Sequence, residues 1–153
     1  MTRFVFLLTA CLLAMSGTAH AQSPRQVLSD FGMLGTWATD CSQPSGKYNF
    51  YAIYSGMSNG NVMRTYYNTP DRKKPYNQYV LTRAILLPSN LLSYQQEGTV
   101  NKDRIDVVLR RDGNRYQVWS SVRADGTVLV KEGKYPDDGA ESPWQERCSS
   151  STS

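Results

Sequence analysis

Apolar and polar residues alternate over short runs of this chain, and turn-forming residues separate the runs. The alternation is clearest where Ile105, Val107 and Leu109 are interleaved with charged side chains, which is the pattern of a half-buried β-strand. Asp112-Gly113-Asn114 follows as a hairpin-type turn, because glycine and asparagine tolerate positive φ. The pattern predicts eight strands, at Thr36–Asp40, Asn49–Ser55, Asn61–Asn68, Gln78–Leu86, Leu91–Glu97, Arg104–Arg111, Arg115–Val122 and Thr127–Lys134.

Successive strands joined mostly by short turns predict an all-β domain with an up-and-down strand order. Closing such a sheet into a single antiparallel eight-stranded barrel removes its unpaired edges. A β-sandwich is the alternative, because alternating strands suit both architectures. An eight-stranded barrel is either filled by its own side chains or holds one small ligand. No stretch keeps a helical period, although Gln26–Phe31 is expected to form one helical turn before the first strand.

The first twenty-one residues have the pattern of a cleaved secretory signal. Arg3 supplies a positive start, Phe4–Met15 is an almost continuous apolar run, and Ala19-His20-Ala21 is a small-x-small cleavage pattern. We therefore expect cleavage after residue 21 and a periplasmic or secreted protein. The alternative is a lipid anchor, since the residues that lead to Cys11 resemble a bacterial lipobox.

Removal of this segment changes the set of reactive side chains. The single histidine, His20, leaves with it, as does Cys11, so that two cysteines remain at Cys41 and Cys148. An oxidising compartment favours a disulfide between them, which would close nearly the whole domain into one loop. We divide the chain into a signal peptide (1–21), an N-terminal segment (22–34), a barrel domain (35–148) and a disordered tail (149–153).

A short motif at the start of the first predicted strand connects the chain to a known group. Gly35-Thr36-Trp37 resembles the Gly-x-Trp signature of lipocalins and related calycin barrels. The resemblance implies that Gly35 lets the chain bend, that Trp37 plugs one end of the barrel, and that a basic residue such as Arg123 or Lys131 covers the indole. The chain also resembles the small exported bacterial inhibitors of metalloproteases. An ordinary core tryptophan is the alternative, and both readings make Trp37 structural.

The composition argues against catalysis. Without histidine, the processed chain lacks the commonest general base and metal ligand, and a disulfide would remove the thiolate nucleophile. We expect a non-enzymatic binding protein with no catalytic residues, no cofactor and no metal site. Loss of Arg3 lowers the formal net charge from +4 to +3. This modest charge, together with export and the lack of an RNA-binding motif, predicts no nucleic-acid partner.

Tyrosines and two arginines indicate where a ligand would bind. Arg64 shares a predicted strand face with Tyr66, and Arg83 shares one with Tyr79. If these faces point inward, together with Tyr94, the lumen would suit an amphipathic molecule with an acidic head. In the alternative interpretation, the tyrosines fill the core and the arginines face solvent or pair with carboxylates.

A basic loop offers a second kind of function. Arg72, Lys73 and Lys74 lie between aromatic residues and are followed by Pro75. This loop would contact an anionic membrane surface or a protein, unless it is simply solvated. Three hypotheses therefore remain open: a carrier of a small ligand, an interaction module such as a protease inhibitor or an envelope-assembly factor, and an enzyme that would depend on paired carboxylates. The residues leave the oligomeric state undetermined.

Overall fold

The computed structural model describes residues 21–149 as one short helix and nine strands. The predicted signal up to His20, with the proposed anchor at Cys11, and tail residues 150–153 lie outside the described residues. No helix within 21–149 is long and apolar enough to cross a membrane. The elements are α1 (Pro24–Asp30), β1 (Gly35–Ala38), β2 (Tyr51–Gly56), β3 (Val62–Tyr67), β4 (Asn77–Leu87), β5 (Leu91–Gly98), β6 (Arg104–Asp112), β7 (Arg115–Arg123), β8 (Val128–Val130) and β9 (Gln145–Arg147).

The strands form a closed antiparallel barrel. Each strand from β1 to β7 pairs with its neighbour in sequence, and β9 pairs with both β7 and β1 to complete a ring of eight. The remaining strand, β8, pairs with β7 alone and is not part of this ring. This arrangement confirms the predicted all-β, up-and-down, eight-stranded barrel, and it is not a sandwich.

The strand that closes the ring differs from the prediction. The eighth strand was expected at Thr127–Lys134, but β8 covers Val128–Val130 and does not reach β1. Closure comes from β9 instead, which pairs with Trp37 and Ala38 on one side. The residues of β9 are all polar, so no apolar alternation reveals this strand in the sequence.

Helix α1 covers one end of the barrel. Its N-cap residue Ser23 accepts a hydrogen bond from the Gln26 amide at 3.2 Å, and Pro24 occupies the first turn. Leu28 is fully buried on the core side of the helix. The Arg25 amide donates to the Gly60 carbonyl at 2.9 Å, which ties α1 to the β2–β3 turn. We call this end the helical end, and we call the opposite end, formed by 41–50, 68–76, 99–103 and 124–127, the open end.

Trp37 fills the core toward the helical end. It is 1% exposed, and its Nε1 donates to the Met33 carbonyl at 2.9 Å. Tyr116 packs edge-on against it, with ring centroids 5.0 Å apart. Gly35 has a φ of +127°, a conformation that side-chain-bearing residues rarely adopt, and a Cβ there would lie 3.4 Å from the Arg147 guanidinium.

The expected cation over the indole of Trp37 is not found among residues 21–149. Arg123 lies at the end of β7 that faces away from the helical end, where it forms an ion pair with Asp103 at 3.7 Å. Lys131 follows β8 and forms a backbone bridge with Lys134. The prediction is wrong for Arg123 because β7 runs from the helical end to the open end, so its last residue lies seven positions beyond Tyr116, which packs against Trp37.

A disulfide joins Cys41 to Cys148, as predicted, across a sequence separation of 107 residues. The Cys148 amide donates to the Thr36 carbonyl at 2.9 Å, and the Cys41 amide donates to Glu146 Oε1 at 3.0 Å. These bonds hold the short closing strand β9 against β1.

Candidate functional site

A cavity of about 310 Å³ opens into the barrel from the open end. The side chains of Val62, Arg64 and Tyr66 in β3 point into the barrel, because alternate residues of a strand lie on the same face. Arg64 lines the cavity and is 4% exposed. Most of the other lining residues are aromatic or aliphatic and include Phe50, Tyr66, Tyr79, Ile105, Val107 and Leu129.

Arg64 is held by neutral groups. Its Nη1 donates to the hydroxyl of Tyr94 at 2.8 Å and to Gln96 Oε1 at 3.0 Å. Its guanidinium carbon lies 4.4 Å from the ring centroid of Tyr66 and 5.2 Å from that of Tyr54, so the cation lies over two aromatic rings. Its Nε is buried and has no hydrogen-bond partner in the part of the chain that the structure describes.

The charge of Arg64 has no anionic partner. Among the residues that line the cavity, Arg64 is the one charged side chain. The ion pairs found within 21–149 join partly exposed groups on the outer surface, and none includes Arg64. Arginine is almost never fully buried unless it is paired, since desolvation of a charge is costly. The site therefore carries an uncompensated positive charge.

The surroundings keep this charge in place and keep the neighbouring tyrosines neutral. Burial acts to lower the pKa of Arg64, but Tyr54, Tyr94, Tyr116 and Tyr79 raise it, so that the pKa lies above its usual value. Burial likewise raises the pKa of Tyr54 and Tyr94 well above the usual value, against the opposing effect of the guanidinium. At neutral pH the site consists of one cation surrounded by protonated hydroxyls.

The second predicted arginine lies outside the barrel. Arg83 was expected on the same face as Tyr79, but it is exposed on the outer wall, near Gln95 and Asp106. A β-bulge between Leu81 and Arg83 shifts the register of β4, and Ala84 takes the inward position that follows Leu81. The prediction is wrong because strict alternation does not reveal a bulge.

Three predicted tyrosines lie on the inner face near Arg64. Tyr66 and Tyr79 pack edge to face, with ring centroids 6.2 Å apart, and both line the cavity. Tyr94 is 2% exposed and bonds to Arg64. The structure therefore places Arg64, Tyr66, Tyr79 and Tyr94 together and leaves Arg83 out.

Several residues that line the cavity were not predicted from the sequence. Gln96 follows Leu92 and Tyr94 on the buried face of β5, so the alternation that placed Tyr94 also predicts it. Ser121 lines the cavity because a bulge in β7 shifts the register after Val118. Phe50 and Tyr135 at the mouth belong to irregular segments, in which no period indicates their direction.

The predicted interaction loop lies at the mouth of the same cavity. Arg72, Lys73 and Lys74 are exposed in the β3–β4 connection, next to Tyr76, which lines the cavity. Tyr76 packs against Phe50 with ring centroids 5.7 Å apart. The cavity and the basic loop, which the sequence predicts as two independent features, are therefore neighbours.

Comparison with known proteins adds no assignment: no family model matches the chain, and neither a curated protein nor a solved structure matches it. The assignment of the candidate site therefore rests on its geometry alone. The class that the structure defines is a closed eight-stranded up-and-down barrel with a ligand-sized cavity, an architecture consistent with a lipocalin-like fold.

Proposed function

We propose that this protein is a non-enzymatic carrier or sensor of a small amphipathic molecule with an anionic head. The observation that carries the proposal is the unpaired guanidinium of Arg64 at the inner wall of an aromatic cavity. A carboxylate or phosphate supplies the missing negative charge, and charge-assisted hydrogen bonds to arginine are the strong ones.

The shape of the cavity supports a ligand that enters head first. Arg64 lies three positions inward from Tyr67, the last residue of β3 at the open end. The mouth is aromatic, with Phe50, Tyr76 and Tyr135 around it. An acidic head therefore reaches the guanidinium while the apolar tail stays in contact with rings nearer the mouth.

The cavity volume limits the size of the ligand. Ligand pockets in proteins generally range from about 300 to 1,000 Å³, and about 310 Å³ is at the low end. The cavity suits a short acyl carboxylate, or the head and first part of a longer molecule whose tail leaves through the mouth.

Three further features support a lipocalin-like protein of the cell envelope or the extracellular space. Gly35-Thr36-Trp37 stands at the start of β1 in a closed barrel, as the Gly-x-Trp resemblance implies. The Cys41–Cys148 bond favours an oxidising compartment. The predicted signal segment would deliver the chain there.

A matched pair of ligands tests the proposal directly. Octanoate and octan-1-ol carry the same tail and differ in the charge of the head. We expect isothermal titration to show octanoate binding about 10- to 100-fold tighter, since a hydrogen bond to a charged group contributes about 1.5–3 kcal/mol. Arg64→Met should abolish that preference, and Arg83→Met, on the outer wall, should leave it unchanged.

Equal affinities for the acid and the alcohol would contradict the proposal, as would equal effects of the two arginine variants. Native mass spectrometry of protein purified from its own host supplies a second check. A bound acidic small molecule is the expected result. A stoichiometric protein partner on an empty barrel would favour the interaction module instead.

A further inference from the structure

We propose that the open end of the barrel docks on an anionic membrane surface through one half of its rim. We call this half the basic rim, and we define it as Lys47, Tyr48, Arg72, Lys73 and Lys74. This inference goes beyond the carrier function, because it rests on the outer surface of the loops and not on Arg64.

The two loops that carry the basic rim form one continuous surface. Ser45 Oγ donates to the Tyr67 carbonyl at 2.7 Å, which joins the 41–50 segment to the end of β3. The Arg72 guanidinium lies 5.1 Å from the ring centroid of Tyr51 in β2, and the Tyr51 hydroxyl donates to the Gln43 carbonyl at 2.8 Å, so Tyr51 also connects the two segments. Because these contacts hold the loops together, their cations face the same body of solvent.

The charge of this surface is strongly one-sided. Segments 41–50 and 68–76 carry four basic side chains and one carboxylate, that of Asp71. That carboxylate accepts hydrogen bonds from Thr69 Oγ1 at 3.1 Å and from the Lys73 amide at 3.3 Å, so it is engaged within its own loop. No ion pair within residues 21–149 includes Lys47, Arg72, Lys73 or Lys74. These cations are available to an external partner.

A segment that borders the cavity has the opposite charge balance. Segment 131–141, which contributes Tyr135 to the cavity, carries two lysines and four carboxylates. An anionic surface therefore attracts the basic rim and repels segment 131–141, so the barrel docks tilted. The mouth then lies at the edge of the contact and stays accessible.

Exposed aromatic rings accompany the basic residues. Tyr48 is 84% exposed and Tyr76 is 60% exposed, which is unusual for side chains of this size. Tyrosine is favoured at membrane–water interfaces, because its ring enters the headgroup region while its hydroxyl stays hydrated. The Lys47 ammonium lies 5.2 Å from the ring centroid of Tyr48, so charge and ring approach the surface together.

A lipid surface fits these features better than a folded protein partner does. Stable protein interfaces have a desolvated apolar centre and enrich arginine over lysine. The basic rim has exposed lysines and the exposed ring of Tyr48, with Tyr76 nearby, and these match a fluid layer of anionic headgroups. Its position next to the cavity mouth would let an amphipathic acid pass between the bilayer and the barrel.

Vesicle co-sedimentation tests the proposal with protein expressed from the full coding sequence and purified as its host yields it. The probes are vesicles of phosphatidylcholine alone and of phosphatidylcholine mixed with phosphatidylglycerol. We expect binding to the mixed vesicles that weakens as salt is raised. Each basic residue near an anionic surface contributes about fivefold in affinity, so Lys73→Gln/Lys74→Gln should bind about 25-fold more weakly.

The control variants separate this proposal from its alternatives. Arg83→Glu changes the net charge by the same amount as the double lysine variant, but on the outer wall, and should keep most of the binding. Arg64→Met should bind vesicles normally even if it loses octanoate, so failure of the carrier function and failure of docking are distinguishable. Tyr48→Trp should add a fluorescence component that brominated phosphatidylglycerol quenches.

Three results would overturn the docking proposal. These are equal binding to neutral and anionic vesicles, equal losses in the Arg83→Glu and double lysine variants, and an unquenched Tyr48→Trp signal. Loss of a soluble protein complex in the double lysine variant, with vesicle binding unchanged, would assign the basic rim to a protein partner.

Discussion

The two ends of this barrel are built from different interactions. At the helical end, Leu28, Met33 and Trp37 are each at most 1% exposed, and the polar atom of the indole is satisfied by a backbone carbonyl. At the open end, a cavity of about 310 Å³ holds a buried cation without a counterion. One end gains stability from burial, and the other keeps a desolvated charge and an open space.

This difference shows how a small barrel divides its tasks. Burying a large apolar side chain contributes about 1.5–3 kcal/mol, so the helical end stabilises the whole ring. A buried cation opposes folding unless something compensates it. The open end is therefore the region in which a ligand can add stability that the protein alone lacks.

The largest expected effect on stability comes from removing Trp37, the central side chain of the helical end. Trp37→Ala should lower the free energy of unfolding by about 3–5 kcal/mol, because it leaves a cavity in a close-packed core. Urea denaturation measures this loss. Trp144→Ala is the matched control, since Trp144 is half-buried on the outside against Arg110 and Arg115, and it should lose only about 1 kcal/mol. Similar losses in the two variants would contradict the conclusion that the helical end stabilises the barrel.

The next test opens the covalent loop. Replacing both Cys41 and Cys148 with serine should lower stability by about 2–5 kcal/mol, because the unfolded chain regains the freedom that the bond removes. Calorimetry measures the change, and hydrogen exchange should show the amides of Gln145–Arg147 losing protection first. An unchanged melting temperature would show that the bond does not form in solution.

Alkaline pH should weaken the core next to the site. Burial raises the pKa of Tyr116 from 10.0 to about 12, with the charge of Arg64 opposing this shift. As pH rises, the unfolded state loses this proton before the folded state does. The contribution of Tyr116 to the free energy of unfolding is therefore fully present below pH 10, and about 2–3 kcal/mol of it is lost as pH rises to about 12.

Two tyrosine variants isolate that contribution. Tyr116→Phe should make the fall of stability between pH 10 and 12 shallower, with Tyr54 and Tyr94 supplying the remainder, whereas Tyr48→Phe, at an 84% exposed position, should not alter it. Urea midpoints recorded across this range give both slopes. Parallel curves for wild type and Tyr116→Phe would show that this hydroxyl titrates normally.

The smallest expected effect comes from Arg64, the residue on which the proposed function depends. Arg64→Met should leave the free energy of unfolding within about 1 kcal/mol of wild type or raise it, since apolar replacements of buried charges are often neutral or stabilising. Thermal melts without ligand measure this. A loss of more than about 3 kcal/mol would make Arg64 a structural residue of the aromatic cluster and would remove the contrast between the two ends.

Most of the fold could be predicted from local signals. Alternation and turn residues located the first seven strands, because hairpin pairing depends on short stretches of chain. Helix α1 covers Pro24–Asp30, where one helical turn was expected at Gln26–Phe31. The closing strand β9 could not be predicted, since its pairing depends on distant partners and on the disulfide.

The candidate site was predictable only in part. The alternation along β3 placed Arg64 correctly next to Tyr66, because that strand has no interruption. It failed for Arg83, because a single inserted residue in β4 turns the following side chains to the opposite face. The absence of a carboxylate from the cavity lining depends on which side chains the whole ring brings together, and no single strand shows it.

The pairing of β9 with β1 also determines the order of assembly. Trp37 in β1 pairs with Arg147, so the ring stays incomplete until nearly all of the described chain is available. During synthesis from the N-terminus, β1 is made first, and the edge of β1 that pairs with β9 stays unpaired until β9 is available. A chain interrupted before Gln145 retains that edge permanently, and we expect it to self-associate rather than fold.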